Sequence, residues 1–270
     1  SNTVIKRKGN ELENYAVIAC DGLSNVTIEN IHIQGERNEH TGTTGEWGMC
    51  INIRGSSNVT VKNCKLTDAW GDGIYVGTYN EKPCTDTVID GCTIDNNRRQ
   101  GISVINSDTL VIRNCLISNT NGTLPEAAID FESNYSTDIC KNNIVENCIF
   151  RGNVGGSVLI GNYFVPYEVT VSNCTSTDRS GVSVYSETKD GVTGGYFNIQ
   201  NCNFRNAIRC ISIGGKSSSG LPIKVKDCEL YASDSNGIQF KRSGYIGRLA
   251  RNRLYSQQFE FVIRSYSYHQ

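Results

Sequence analysis

Seven times along the chain, a short alternating apolar run ends in a cysteine preceded by Asn, Asp or Gly. The runs are Val59-Thr-Val-Lys-Asn-Cys64, Thr87-Val-Ile-Asp-Gly-Cys92, Leu110-Val-Ile-Arg-Asn-Cys115 and Asn143-Ile-Val-Glu-Asn-Cys148. Val169-Thr-Val-Ser-Asn-Cys174, Phe197-Asn-Ile-Gln-Asn-Cys202 and Ile223-Lys-Val-Lys-Asp-Cys228 complete the series. The frame also occurs without Cys at Val26-Thr-Ile-Glu-Asn-Ile31 and at Gly247-Arg-Leu-Ala-Arg-Asn-Arg253. Successive cysteines are 28, 23, 33, 26, 28 and 26 residues apart. A period of that size means a repeat architecture in which each unit buries its apolar side only by stacking on the next.

A second element recurs between the first: Cys50-Ile-Asn-Ile, Gly73-Ile-Tyr-Val, Gly101-Ile-Ser-Val, Ala128-Ile-Asp-Phe, Ser157-Val-Leu-Ile, Gly181-Val-Ser-Val, Cys210-Ile-Ser-Ile and Gly237-Ile-Gln-Phe. Each alternates with period two, and no stretch shows a helical period. Every repeat therefore holds at least two short strands separated by Gly, Asn and Asp turns. Stacked in register at about 4.8 Å, such repeats form a parallel β-helix in which like side chains pile into ladders. The 12 Cys follow from this. Side chains in one ladder run parallel, whereas a disulfide needs opposed Cβ vectors, and no Cys-x-x-Cys pair suggests zinc. A buried, reduced cysteine stack is expected, with Cys20, Cys50 and Cys210 in the core of the second element. Cys84 and Cys140 fall in connecting segments that the repeat does not place.

The chain resembles the right-handed parallel β-helix proteins of the pectate-lyase-like superfamily. Four stretches are similar to polysaccharide-active β-helix proteins of bacteria and phage: Gly35-Glu-Arg-Asn-Glu-His-Thr-Gly-Thr-Thr-Gly-Glu-Trp-Gly48, Asp68-Ala-Trp-Gly-Asp-Gly-Ile-Tyr-Val76, Asn96-Asn-Arg-Arg-Gln-Gly-Ile102 and Ala127-Ala-Ile-Asp-Phe-Glu132. The resemblance implies an all-β, right-handed single-stranded parallel β-helix of about nine or ten coils. It would form one domain over 1–270, with N-terminal coils that could be missing. It also implies a polysaccharide or oligosaccharide partner and a secreted, periplasmic or cell-surface location. The paired Asp-Asp with Gly-His-Gly of pectin hydrolases and the Asp-Pro-His-Glu box of alginate epimerases are both absent. A scaffold shared by hydrolases, lyases, epimerases and adhesins does not choose among them.

The longest coils have their excess in 36–47 and 120–126, both between the two strand elements. With Asp68-Ala-Trp-Gly-Asp72 and Asp95-Asn-Asn-Arg-Arg-Gln100, these segments should neighbour one another on one edge. The strand element that follows should point Asn52, Tyr75, Ser103, Asp130, Leu159, Ser183, Ser212 and Gln239 outward. Asp130 and Glu132 then share one side of a strand, roughly 6.6 Å apart along it. Glycoside hydrolysis needs such a pair, one member protonated and one ionised.

Asp130 and Glu132 are thus the expected acid/base or nucleophile pair, with Asp72 and His40 as further catalytic candidates. Arg99, Arg98, Tyr75 and Glu46 are expected to bind and orient substrate, and Trp47 and Trp70 to stack on sugar. Each has a plainer reading: Asp130 and Glu132 a solvated face, Asp72 a turn cap, Arg98 and Arg99 surface ion pairs, His40 a mobile exposed side chain. A uronate lyase or epimerase remains an alternative, with His40, Tyr75 or an Arg as the base. A non-catalytic glycan-binding or adhesive β-helix, in the form of a homotrimer spike, is another.

With 26 Lys+Arg against 27 Asp+Glu the net charge is −1, which excludes a nucleic-acid binder working through bulk charge. No apolar run is long enough to insert in a membrane, and no cofactor or metal is expected. Calcium is the ion that Asp130-x-Glu132 would suit, but no Asp-rich nonapeptide repeat accompanies it. The basic, aromatic segment 244–270 is expected to cap the helix end or contact another chain.

Overall fold

The computed structural model describes residues 3–162, 164–186, 194–214, 222–240 and 246–255. Every regular element among them is a β-strand, and every strand-to-strand ladder is parallel. The chain winds as a solenoid with three strands per coil. The longest face runs through Ser24–Glu29, Ser57–Lys62, Cys84–Asp90, Ser107–Arg113, Cys140–Glu146, Tyr167–Ser172, Tyr196–Gln200, Pro222–Lys226 and Ile246–Ala250, nine rungs in one sheet. After a turn comes a short face: Ile31–Gln34, Lys65–Thr67, Thr93–Asp95, Leu116–Ser118 and Ile149–Arg151. A looped edge then leads to the third face, formed by Asn14–Asp21, Trp47–Arg54, Ile74–Gly77, Ile102–Val104, Ala127–Glu132, Gly156–Asn162 and Ser180–Ser186.

The short face is the element that the repeat pattern does not announce. Three or four residues are too few for an alternation to register, and its inward residue, such as Leu66 or Ile94, stands two positions after the cysteine.

The Asn-Cys frame has a local cause. Asn30, Asn63, Gly91, Asn114, Asn147, Asn173, Asn201, Asp227 and Arg251 all hold positive φ between 52° and 66°. That left-handed conformation folds the long strand sharply into the short one, and Asn, Asp and Gly adopt it at least cost. The next residue then points inward. Cys64, Cys92, Cys115, Cys148, Cys174, Cys202 and Cys228 are each at most 2% exposed, and each Sγ faces backbone carbonyls, as Cys115 does with Arg113 (3.1 Å) and Ile89 (3.7 Å). In the last described coil Asn252 stands where the cysteine would be. Its side chain accepts from Cys228 N (3.0 Å) and donates to Val225 O (3.1 Å), closing the ladder with backbone-like bonds.

All twelve cysteines are free and buried. Cys84 and Cys140, unplaced by the repeat, begin rungs of the long face in register with Ser107 and Tyr167. Burial pushes the Cys50 and Cys210 thiols up to about 12. A thiol reagent should therefore label none of the cysteines in the native protein at neutral pH and twelve in denaturant, and a reductant should leave Tm unchanged. A reductant-dependent Tm would sink the all-thiol reading.

Towards the C-terminus the looped edge disappears, because Asn203–Gly214 and Glu229–Phe240 each run from the short face into the third face as one strand. Among the described residues, the elaborated loops of this edge, 36–47, 68–72, 95–100 and 120–126, lie in the N-terminal half. Of the segment 244–270, only 246–255 is described, as the last long-face strand and the start of the next rung. Its expected capping or contact role lies outside the described residues. Among the described residues no helix is long and apolar enough to cross a membrane.

Candidate functional site

The four loops stack by backbone hydrogen bonds: Arg37 N to Asp68 O, Arg98 N to Ala69 O, Arg99 N to Gly71 O, and Thr123 N to Arg98 O. Ladder register on the third face aligns Asn52, Tyr75, Ser103, Asp130, Leu159, Ser183, Ser212 and Gln239 as one column. The edge and the column meet around one guanidinium. Arg99 has a side chain only 13% exposed, and it pairs with Asp72 Oδ2 (3.3 Å) and Glu46 Oε2 (3.2 Å). Burial works against its charge, but Asp72, Asp130, Glu46 and Glu132 outweigh that and hold it firmly protonated.

Asp72 is wholly buried. Its Oδ1 accepts from Gln100 N (3.1 Å), and its Oδ2 from Ser103 Oγ (2.7 Å) and Arg99 Nη1 (3.3 Å). The turn-capping reading of Asp72 is thus correct in kind, except that the amide it caps belongs to the next coil. Desolvation raises its pKa to about 6, against the opposing pull of Arg99 and these donors.

Asp130 is 2% exposed, so the solvated-face reading of this residue is wrong. Its Oδ2 accepts from Gln100 Nε2 (2.8 Å), while its Oδ1 is buried with no partner. Burial, reinforced by Glu132 and Asp72 and opposed by Arg99, raises its pKa well above the ordinary carboxylate value. Glu132, two residues along the same strand, is only partly buried. The pair is therefore asymmetric: one acid is withdrawn and driven towards its neutral form, and its neighbour reaches solvent. The described residues include no group of three or more His, Cys, Asp and Glu placed to hold a metal ion.

Tyr75 lies between Asn52 and Ser103 in the column. Its ring occupies the space over Gly77, where an added Cβ would stand 2.4 Å from Cε1. Burial, with Asp72 nearby, pushes its phenol up to about 12. Trp47 opens its strand and is 47% exposed. Glu46 beside it has a side chain 43% exposed.

Three expectations need correction. His40 is not a mobile surface residue: its side chain is fully buried, Nδ1 sits 3.0 Å from Glu36, and Nε2 has no partner. Trp70 is not an open sugar platform. The His40 ring stacks on it at 3.7 Å and 15°, and the Arg98 guanidinium lies 3.7 Å from its ring centre. Two planar groups that close must occupy opposite faces, so both faces are covered. Arg98 is the outer plate of that sandwich, and its Nη1 donates to Gly45 O (2.9 Å) and Trp70 O (3.2 Å). It clamps the loop that delivers Glu46 to Arg99, so neither Arg98 nor Trp70 is available to substrate as expected. The sandwich continues through His40 to Glu36, which is 1% exposed and also accepts from Tyr15 Oη.

Sequence reasoning missed Glu36, Tyr15 and Gln100. Gln100 links the two buried acids, its N donating to Asp72 Oδ1 (3.1 Å) and its Nε2 to Asp130 Oδ2 (2.8 Å), while its Oε1 accepts from Ala127 N (2.8 Å). Its position directly before Gly101-Ile, equivalent to Asp72 before Gly73-Ile, was the available signal. Glu36 and Tyr15 meet across 21 residues and had none.

Comparison with known proteins agrees with this architecture. The family model for the right handed beta helix region matches residues 1–134. The uncharacterized protein YclG of Bacillus subtilis (strain 168) is 34% identical over 163 residues, 53% of this chain and 28% of that protein. The SPbeta prophage-derived uncharacterized protein YorA of the same strain is 21% identical over 280 residues, 94% of this chain and 42% of that protein. The chain thus spans less than half the length of these curated relatives. Among solved structures, the tailspike protein gp49 from the Acinetobacter baumannii bacteriophage Fri1, a capsular polysaccharide depolymerase, aligns with TM-score 0.61 and 14% identity. That alignment covers 89% of this chain and 47% of the tailspike. The endo-xylogalacturonan hydrolase from Aspergillus tubingensis aligns with TM-score 0.58 and 10% identity, over 87% of this chain and 73% of that enzyme. At such identities the likeness carries the fold and leaves the chemistry to the residues. The winding, the three-strand coil and these likenesses make the chain a right-handed parallel β-helix protein.

Proposed function

We propose that this chain cleaves a polysaccharide by hydrolysis, with Asp130 as the protonated carboxylic acid and Glu132 as its ionised partner. One observation carries the reading: Asp130 is buried and driven neutral, yet keeps one oxygen that no protein group satisfies. Burying a polar atom without a partner is costly, and such atoms are filled by a ligand group or water. A buried carboxyl driven neutral, beside a second carboxyl that reaches solvent, is an arrangement glycoside hydrolysis can use. Arg99 and Tyr75 orient substrate, Asp72 holds Arg99, and Trp47 is the exposed aromatic surface beside them. The solved β-helix structures named for polysaccharide depolymerase and hydrolase activities are compatible with that use of the scaffold. A polymeric substrate of this kind is met outside the cytoplasm, which supports a secreted, periplasmic or cell-surface location.

Elimination from a uronate is the weaker reading. Its candidate bases were His40, now sealed under Trp70, Tyr75, whose raised pKa keeps it protonated near neutrality, and an arginine, of which Arg99 is held protonated by the acids around it.

The test is incubation with neutral and acidic polysaccharides, following new reducing ends and ultraviolet absorbance together, with Asp130→Asn beside the native protein. Reducing ends without absorbance, lost in the variant, are the expected result. Absorbance rising in step with reducing ends would replace hydrolysis by elimination, and glycan retention with neither signal would replace it by binding alone.

A further inference from the structure

The charge around the outward column is one-sided. Glu46, Asp72, Asp130 and Glu132 all act on the single guanidinium of Arg99. Three other arginines of the N-terminal loops and strands are already engaged by protein groups. Arg54 makes a two-pronged pair with Asp21 (2.8 and 2.6 Å). Arg37 donates to Asn96 and Asn121, and Arg98 donates to Gly45 and Trp70. An acidic cluster alone says little, but two buried orphan atoms point outward with it. Asn52 Oδ1 and Asp130 Oδ1 are both unpartnered, in one column three rungs apart, or about 14 Å at one strand spacing per rung. The Asn52 oxygen takes only a donor. The Asp130 oxygen accepts from a hydroxyl when ionised and donates to a sugar oxygen when protonated.

We infer that this face selects an uncharged glycan segment, rich in hydroxyl donors and free of carboxylate and sulfate, across the rungs from Asn52 to Glu132. The inference rests on the proposed use of this face for polysaccharide and adds the class of sugar it takes. A uronate would bring an acceptor-only anion to three or four carboxyls, while Arg99, the one cation that the described residues place among them, is held by two of them. Like charges brought together at an interface are strongly disfavoured and serve as specificity elements. A neutral sugar meets no such opposition and satisfies both orphan oxygens.

The experiment measures binding to matched pairs of polymers that differ only in charge: polygalacturonic acid and its carboxyl-reduced galactan, and hyaluronan and its carboxyl-reduced form. Affinity electrophoresis at low ionic strength is followed for the native protein and for Glu46→Gln, which removes one of the two acids pairing with Arg99. The native protein should bind the reduced member of at least one pair about tenfold or more tighter than the acidic member. The Glu46→Gln variant should narrow that ratio, a change that a merely structural role of Glu46 would not produce. Equal or tighter binding of the acidic member overturns the inference, as does an unchanged ratio in the variant or failure of every reduced polymer to bind. The two proposals fail separately. Cleavage of an acidic polymer would remove the charge selection and leave hydrolysis standing. Tight neutral binding without reducing ends would remove hydrolysis and leave the charge selection.

Discussion

Asp130→Asn is expected to lower polysaccharide cleavage by about 10²–10⁴-fold, the usual contribution of a positioned acid, and at the same time to raise Tm at neutral pH. The two effects share one cause. The folded-state pKa of Asp130 is raised above its unfolded value, chiefly by desolvation. The stability linked to its proton is therefore present below the unfolded pKa of about 4 and is lost as pH rises towards the folded value. At neutral pH the unfolded chain ionises freely while the folded one is penalised. Asparagine has no charge to desolvate, and its side-chain oxygen can keep the bond from Gln100 Nε2. A gain of about 1–2 kcal/mol is expected at pH 7, in the range of other substitutions that exchange activity for stability, and none near pH 4. Thermal unfolding at the two pH values, beside reducing-end assays, checks both halves. Retained turnover would remove Asp130 from the chemistry. A lower Tm at pH 7 would show that its charge is favourably housed.

The second large effect is Arg99→Ala. Arg99 lowers the pKa of both Asp72 and Asp130, so its loss leaves the buried Asp72 charge without a counter-charge and drives Asp130 further towards its neutral form. Breaking such a pairing from one side costs about 3–5 kcal/mol. The sign with pH follows from the same linkage. Without the guanidinium both folded-state pKa values rise further, so the destabilisation is small near pH 4, where the native and variant folds both hold these acids protonated. It grows as pH climbs through the Asp72 value of about 6. Arg99→Ala/Asp72→Asn should recover much of the loss at neutral pH, because the stranded charge is gone. Urea midpoints for the two variants across that range measure this. A pH-independent loss, or no recovery in the double variant, would mean that Arg99 acts by packing and not by charge.

How legible this molecule was depended on distance along the chain. The left-handed turn at Asn63 or Asn114 and the inward cysteine that follows it are set by neighbouring residues, so they recur visibly. Strand alternation gave the outward column from Asn52 to Gln239, since parallel coils in register carry equivalent positions onto one another. Asp130 and Glu132 could therefore be placed on one side of one strand. The short face at Lys65–Thr67 was too brief for any period. Cys84 and Cys140 were unplaced because they begin rungs at the corner after loops of unequal length.

The site was readable as a neighbourhood and misread in its details. His40 sits in a run of Thr and Gly, which locally suggests an exposed, mobile side chain. It is buried because Trp70, one coil on, and Glu36, one turn back, cover it. Trp70 looked like a sugar platform because aromatic exposure cannot be judged until the residues above and below are known, and here they are His40 and Arg98. Periodicity in the amino-acid sequence determined the repeat, the parallel register, the reduced cysteine ladder and the face on which the acids lie, because each follows from contacts between equivalent positions of adjacent coils. Only the tertiary structure decided which acid is buried, which arginine is held and which aromatic is free, because desolvation and ion pairing depend on the side chains that unequal loops bring together.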